Sequence, residues 1–258
     1  MNPALGHRGE HAPASRRMPT EVELVARFET MLRERYGVEP LPEFTIVVEG
    51  ATDRDYMMRA VNLGREVYGE DLLQVPTHLT EKDSRIAIVT PIDPVYREEA
   101  GRERGGIRKI ARLAKDVHEY VFLLNYLRGI VFVLDHDDAG QGAKQKLQEL
   151  GYDAEKHIVM LDPKHHPGAC GKKQVVIEDL LSFRIQSEFF QRGGAWCSVD
   201  YEAGEAKRFR WGHESKHCLR DYVCERGTWN DVREIGRVIG RVRSVFGLPV
   251  TGSMFDPT

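Results

Sequence analysis

Short β-branched runs alternate with helical patterns through the middle of the chain, and this alternation limits the fold more than any other feature. "FTIVV" (44–48), "RIAIVT" (85–90), "GIVFVLD" (129–135) and "HIVML" (157–161) have the length and composition of buried strands. "DLLQV" (71–75) reads as a further one. Between them lie helical stretches: Asp53 to about Leu63, a segment with Ile107, Ile110, Leu113, Val117, Val121 and Leu124 at helical spacing, and 141–150 ending at Gly151. Strands that alternate with helices build βαβ units and a parallel sheet. In such sheets ligands bind beyond the carboxyl ends of the strands. The expected class is therefore α/β, with a Rossmann-like parallel central sheet.

The flanks differ in texture. Residues 1–18 are rich in Pro, Gly, Ala and charge and lack periodicity, which predicts a disordered tail. Residues 19–42 hold a leading helix, with Thr20 as N-cap, Gly37 as stop, and Leu24, Val25, Phe28, Met31 and Leu32 on one face. The α/β core spans 43–181. From 182 to 258 an α+β extension is expected: a β-hairpin turning at Ala203-Gly204, then helices in "ESKHCLRDYVCERG" and "NDVREIGRVIGRVRSVFG".

Two strand tips carry acids. "VVEG" ends at Glu49-Gly50, and "VLDHDDAG" places Asp135, Asp137 and Asp138 directly after an apolar run. Adjacent strands lie about 4.8 Å apart, so acids on neighbouring tips can converge. A converging cluster repels itself and raises its own pKa values unless a cation neutralises it. Hard oxygen donors favour Mg²⁺ or Mn²⁺. Each acid has a plainer alternative as a helix cap: Asp53 before one helix, and Asp137 or Asp138 before another. Asp138 suits the cap better than the ligand role. Glu49, directly after four apolar residues, has no ordinary capping role.

"IVVEG" followed by "VFVLDHDDAG" resembles the Toprim domain of topoisomerases, DnaG-type primases and OLD-family nucleases, over roughly residues 43–180. The resemblance implies a compact Rossmann-like sheet in which Asp135 and Asp137 hold Mg²⁺. It also implies that Glu49 acts as ligand or general acid/base in phosphodiester chemistry. The 86 residues between the motifs exceed the usual spacing, which points to an insertion within about 69–105. "EGATD" is similar to the OLD-like Glu-Gly-x-Thr-acid and adds Asp53 toward a second metal. "GGIRKI" is similar to the glycine-containing turn before the middle helix of that group. "VVIEDLLS" is similar to the segment that completes the site, offering Glu178 or Asp179. "ESKHCLRDYV" is similar to a segment whose lysine, here Lys216, faces the metals. The short "IED" and "SKH" segments also resemble those of Toprim effectors of the PARIS anti-phage kind.

What the resemblance implies is a Mg²⁺- or Mn²⁺-dependent nuclease with two ions, acting on DNA or RNA in anti-phage defence or genome maintenance. A non-catalytic Toprim-fold binding or regulatory subunit, and a primase-like nucleotidyl transferase, remain alternatives. No Walker A loop occurs in the sequence, so the ATPase of full OLD nucleases is not expected in it, and control by a separate partner ATPase fits better. A homodimer is also allowed.

Composition narrows the partners. The formal charge of −3 gives no overall bias toward nucleic acid, so contacts must come from local patches. Residues 97–115 hold seven Lys/Arg against three Glu, and Arg104, Arg108, Lys109 and Arg112 are the candidates to guide phosphates. Arg233, Arg237 and Arg241 form a stripe on the last helix, more readily a solvated face. Trp211, Tyr222 and Trp229 could stack on bases, though core packing is the safer reading. Four cysteines without a C-x-x-C pair argue against structural zinc or a disulfide framework. No run approaches membrane-span length, and no hydrophobic stretch follows Arg16-Arg17, so a cytoplasmic protein with no membrane contact is expected.

Overall fold

The structure, a computed structural model, describes residues 19–36, 43–79, 85–91, 106–124, 129–165, 173–193, 197–202 and 205–250. A leading helix α1 (Glu21–Tyr36) precedes β1 (Phe44–Val47), α2 (Ala51–Tyr68), β2 (Ala87–Val89) and α3 (Gly106–Leu124). β3 (Gly129–Leu134), α4 (Asp138–Glu149), the single turn α5 (Ala154–His157) and β4 (Ile158–Met160) complete the core. A 3₁₀ turn (Ile177–Leu180) leads to α6 (Phe183–Gln191), β5 (Cys197–Glu202), β6 (Glu205–Trp211), α7 (His213–Arg226) and α8 (Trp229–Val245).

The central sheet has four strands in the order β2-β1-β3-β4, and every pairing is parallel. Glu49 and Asp135 therefore follow the ends of strands that are direct neighbours, with Val47 beside Phe132 in register. Side chains alternate faces along each strand. Ile46, Val48, Val131, Val133 and Val159 enter one core, which includes Met57, Leu219, Val232 and Ile239 from α2, α7 and α8. Val47, Ile130, Phe132, Leu134 and Ile158 enter the other, with Phe28 and Leu32 of α1, Leu113 of α3 and Leu147 of α4. Both faces are covered, which is why these strands read as continuous apolar runs rather than alternating ones. The fold is α/β around an all-parallel sheet, and no described helix is long and apolar enough to cross a membrane.

"DLLQV" does not become a strand. Asp71 turns the chain there: its carboxylate accepts the Leu73 amide N–H at 3.0 Å and binds Arg65 and Arg85. Only Gln74 forms a bridge, to Arg85. The helix expected from Asp53 begins at Ala51 and runs to Tyr68, five residues beyond the expected end at Leu63. Thr20 does cap α1, its Oγ1 accepting from the Glu23 amide at 3.3 Å, while the Gly37 stop lies outside the described residues. The expected hairpin is present as antiparallel β5–β6, its turn residues 203–204 also lying outside. The tail 1–18 and most of the inferred insertion, apart from 69–79 and the segment carrying β2, lie outside as well.

Candidate active site

β1 and β3 deliver their acids to the same place. The Asp135 amide N–H donates to Glu49 Oε1 at 3.3 Å, linking the two tips directly. Asp53 stands one turn into α2, and its Oδ2 accepts the Gly50 amide N–H at 2.9 Å. It thus caps the helix and stands beside the strand tip at once.

A fourth acid arrives from further along the chain. His136 and Val175 exchange two backbone hydrogen bonds of 2.7 and 3.0 Å, which tether residues 175–180 to the end of β3. The Ile177 amide then donates to Asp135 Oδ1 at 3.1 Å. Glu178, only 3 % exposed, follows on this turn and pairs with Lys216 Nζ at 2.9 Å. Lys216 is presented by α7, which packs on α2 through buried Leu219 and Val223 and through an Arg220–Asp55 contact of 3.4 Å.

Glu49, Asp53, Asp135, Glu178 and Lys216 all line one open cleft of about 450 Å³ beyond the carboxyl ends of the strands. Two other surface depressions, over α1 and over α4, contain none of them. Crowding of the acids shows in their electrostatics. Burial, with the Asp137 charge adding to it, pushes Glu49 up to about 6. Asp53 is pushed up to about 7 by burial and by the charges of Glu178 and Glu49. Asp135 is raised well above the carboxylate range by burial and by Asp53, Glu49 and Glu178. For Lys216 burial acts downward, but the Glu178, Asp135 and Asp53 carboxylates outweigh it and leave the ammonium raised.

The other predicted ligands sit differently. Asp137, not Asp138, is the N-cap of α4: its backbone is extended and its Oδ1 accepts the Gly140 amide at 2.7 Å. Asp138 is the first helical residue and is exposed. Asp137 flanks the cleft and reaches Glu49 through its charge rather than by lining the cavity. Asp179 turns away. Its carboxylate is gripped by the Arg208 guanidinium at 2.9 and 2.6 Å and caps the Val176 amide at 3.1 Å, so it anchors the β5–β6 hairpin to the turn. The choice between Glu178 and Asp179 thereby falls to Glu178.

Gly140 explains the small residue that ends "DHDDAG". A Cβ there would lie 1.9 Å from the Asp135 carbonyl oxygen, so only glycine lets α4 start against the tip of β3. Gly50 is different: a Cβ would meet nothing nearer than 3.8 Å, and glycine leaves the cleft floor open.

Among the basic candidates, Lys109 lines the cleft, while Arg108 and Arg112 are exposed on α3 and Arg104 lies outside the described residues. The Arg stripe of α8 is largely engaged, Arg237 with Glu234 at 2.7 Å and Arg241 with the Met160 carbonyl at 3.2 Å. Trp211, Tyr222 and Trp229 are core residues. Sequence reasoning missed His213 and His217, which line the cleft from α7, and Thr90, which lines it from the end of β2. The spacing of the two histidines puts them on one helix face with Lys216, a local signal that does not say where that face points.

The donor set, carboxylate oxygens with one lysine, suits a hard divalent cation. Among the described residues, no three His, Cys, Asp or Glu side chains already surround one point as ligands do. No family model matches the chain, and neither a curated protein nor a solved structure is significantly similar to it.

Proposed function

We propose that the chain is a metal-dependent nuclease of the Toprim kind, hydrolysing phosphodiester bonds in DNA or RNA. One observation carries the reading: four acids from separate segments meet beyond the carboxyl ends of β1 and β3, at a cost in mutual repulsion that a divalent cation would relieve. Glu49, Asp53, Asp135 and Glu178 would hold Mg²⁺ or Mn²⁺ ions, with Asp137 at the edge. Bound there, the metal would supply Lewis-acid stabilisation of the phosphate and lower the pKa of water.

The chain's own residues do the rest. Glu49, raised to about 6, is poised to exchange a proton near neutral pH. Lys216, held by Glu178, offsets negative charge that builds on the phosphoryl oxygens. Lys109 at the mouth, continuing into exposed Arg108 and Arg112, offers a path for the polyanion. Control by a separate ATPase, in an anti-phage or genome-maintenance setting, belongs to the same proposal.

The test is incubation of the protein with labelled DNA and RNA in Mg²⁺ or Mn²⁺, alongside Glu49→Gln and Asp135→Asn. Cleavage that both variants lose supports the reading. Cleavage that persists unchanged in both refutes it.

A further inference from the structure

On its β2 side the cleft is lined by Thr90, Pro91 and, from α3, Lys109, none of them acidic. β2 runs parallel to β1 with Val89 beside Val47, and the Val48 amide N–H donates to the Val89 carbonyl at 3.0 Å. Thr90 therefore stands level with the end of β1, one strand across from Glu49. α3 lies in the chain between β2 and the parallel strand β3, so it starts at the carboxyl edge of the sheet. Lys109 is in its first turn and lines the cleft from there.

Two side chains there await a ligand. Thr90 is only 6 % exposed, yet it lines the cleft, and its hydroxyl has no hydrogen-bond partner among the described residues. A sheltered hydroxyl without a partner costs stability, which an acceptor oxygen in the cleft would recover. Lys109 forms no ion pair among the described residues, unlike Lys216, which Glu178 holds at 2.9 Å. The first turn of α3, a helix of 19 residues, adds the positive end of its dipole to the same side. Hydroxyl, ammonium and helix start are each complementary to a phosphate.

The gap between the tips of β1 and β3, where Glu49 and Asp135 meet, lies about one and a half strand spacings from β2, roughly 7 Å. A phosphate at Thr90 is thus a different group from one at the carboxylates. Successive phosphates of an extended strand can span that interval. We propose that Thr90 and Lys109 form a second phosphate subsite, which holds the phosphate next to the one under attack in a single nucleic-acid strand. Thr90 Oγ1 donates to a non-bridging oxygen, Lys109 supplies the charge, and the strand crosses the sheet edge from β3 toward β2. The inference rests on the phosphodiester reading of the cleft but concerns binding, and it can be tested apart from cleavage.

The probe is a fluorescein-labelled single-stranded oligonucleotide, as DNA and as RNA, titrated in Ca²⁺ with anisotropy as readout. The parent is the non-cleaving Glu49→Gln protein. Thr90→Val should weaken binding about fivefold without changing its dependence on salt. Lys109→Met should weaken it about tenfold and lower the slope of log K against log salt by about 0.7. Because both side chains hold one phosphate, the double variant should lose clearly less than the product of the two losses. Thr90→Ser, which restores the hydroxyl, should recover most of the affinity. Thr90→Val keeps the side-chain shape and removes an unpartnered hydroxyl, so it should melt no lower than the parent.

Thr90→Val binding within about twofold of the parent overturns the inference. So do losses that simply multiply in the double variant, and failure of the parent to bind either oligonucleotide. Thr90-dependent binding of inorganic phosphate in calorimetry, with no effect on the strand, overturns it in favour of a free-anion site. Thr90-dependent strand binding without any cleavage by the wild-type protein leaves the inference standing and sinks the nuclease. Cleavage with Thr90-independent binding does the reverse.

Discussion

Asp135 hands its backbone N–H to Glu49 Oε1 across 3.3 Å, although the two residues are 86 positions apart in the chain. The acid of one strand tip is thereby oriented by the main chain of the next. Glu49→Gln keeps an oxygen acceptor for that bond and removes a charge that burial disfavours. At pH 8, Glu49→Gln should melt at or above the wild-type temperature, whereas Glu49→Ala should lose about 1 kcal/mol. Thermal and denaturant unfolding of the three proteins separates these outcomes.

Folding without metal should weaken as pH rises. Glu49, Asp53 and Asp135 all hold protons more tightly folded than unfolded, so the native state binds more protons between about pH 4 and 7. Their contribution is favourable at low pH and is lost as pH rises through about 6 for Glu49 and about 7 for Asp53. Ligand carboxylates must be ionised, so added Mg²⁺ should raise the melting temperature more at pH 8 than at pH 5.5. An equal rise at both pH values would contradict the arrangement of the cleft.

Neighbouring acids Glu178 and Asp179 should part company under mutation. Glu178→Gln should weaken Mn²⁺ binding at least several-fold. Asp179→Asn should leave Mn²⁺ affinity within twofold of wild type but destabilise the protein by about 2 kcal/mol, because it strips the buried partner from Arg208. Calorimetric titration with Mn²⁺ and urea denaturation measure the two effects separately.

Lys216→Met leaves the Glu178 carboxylate, only 3 % exposed, without its ammonium. A loss of about 2 kcal/mol is expected in metal-free protein. Mg²⁺ should restore part of it, as the ion supplies the missing positive charge. Denaturation with and without Mg²⁺ reads this directly.

Gly140→Ala adds one methyl group where a Cβ would lie 1.9 Å from the Asp135 carbonyl oxygen. Moving α4 away should cost about 2–3 kcal/mol. Gly142, where a Cβ meets nothing within 4 Å, is the control: Gly142→Ala should be neutral or mildly stabilising.

The sheet was legible because its strands are buried on both faces and so stand out as β-branched runs. "DLLQV" is similarly apolar at Leu72, Leu73 and Val75, yet one side chain, Asp71, satisfies backbone and arginines locally and turns the chain instead. The acids Glu49 and Asp135 could be paired from sequence because parallel neighbours align their tips. Asp137 could not be told from Asp138 as the cap, since the choice depends on a one-residue shift in the start of α4. Glu178 and Asp179 were equally ambiguous: only the placement of Arg208 on a distant hairpin decides which one turns inward. His213 and His217 reach the cleft through the packing of α7 on α2, which no local pattern encodes.

The turn carrying Glu178 hangs from β3 by the two bonds between His136 and Val175, and both are made by peptide groups. The bonds themselves do not depend on side-chain identity, and the fully buried Val175 side chain adds core packing to them. Lys216 has no such suspension: its place depends on how well Leu219 and Val223 seat α7. The acidic half of the cleft is thus fixed to the sheet by main-chain bonds, while the basic half rests on helix packing. A descendant that changed its substrate would be expected to keep its carboxylates and rebuild α7.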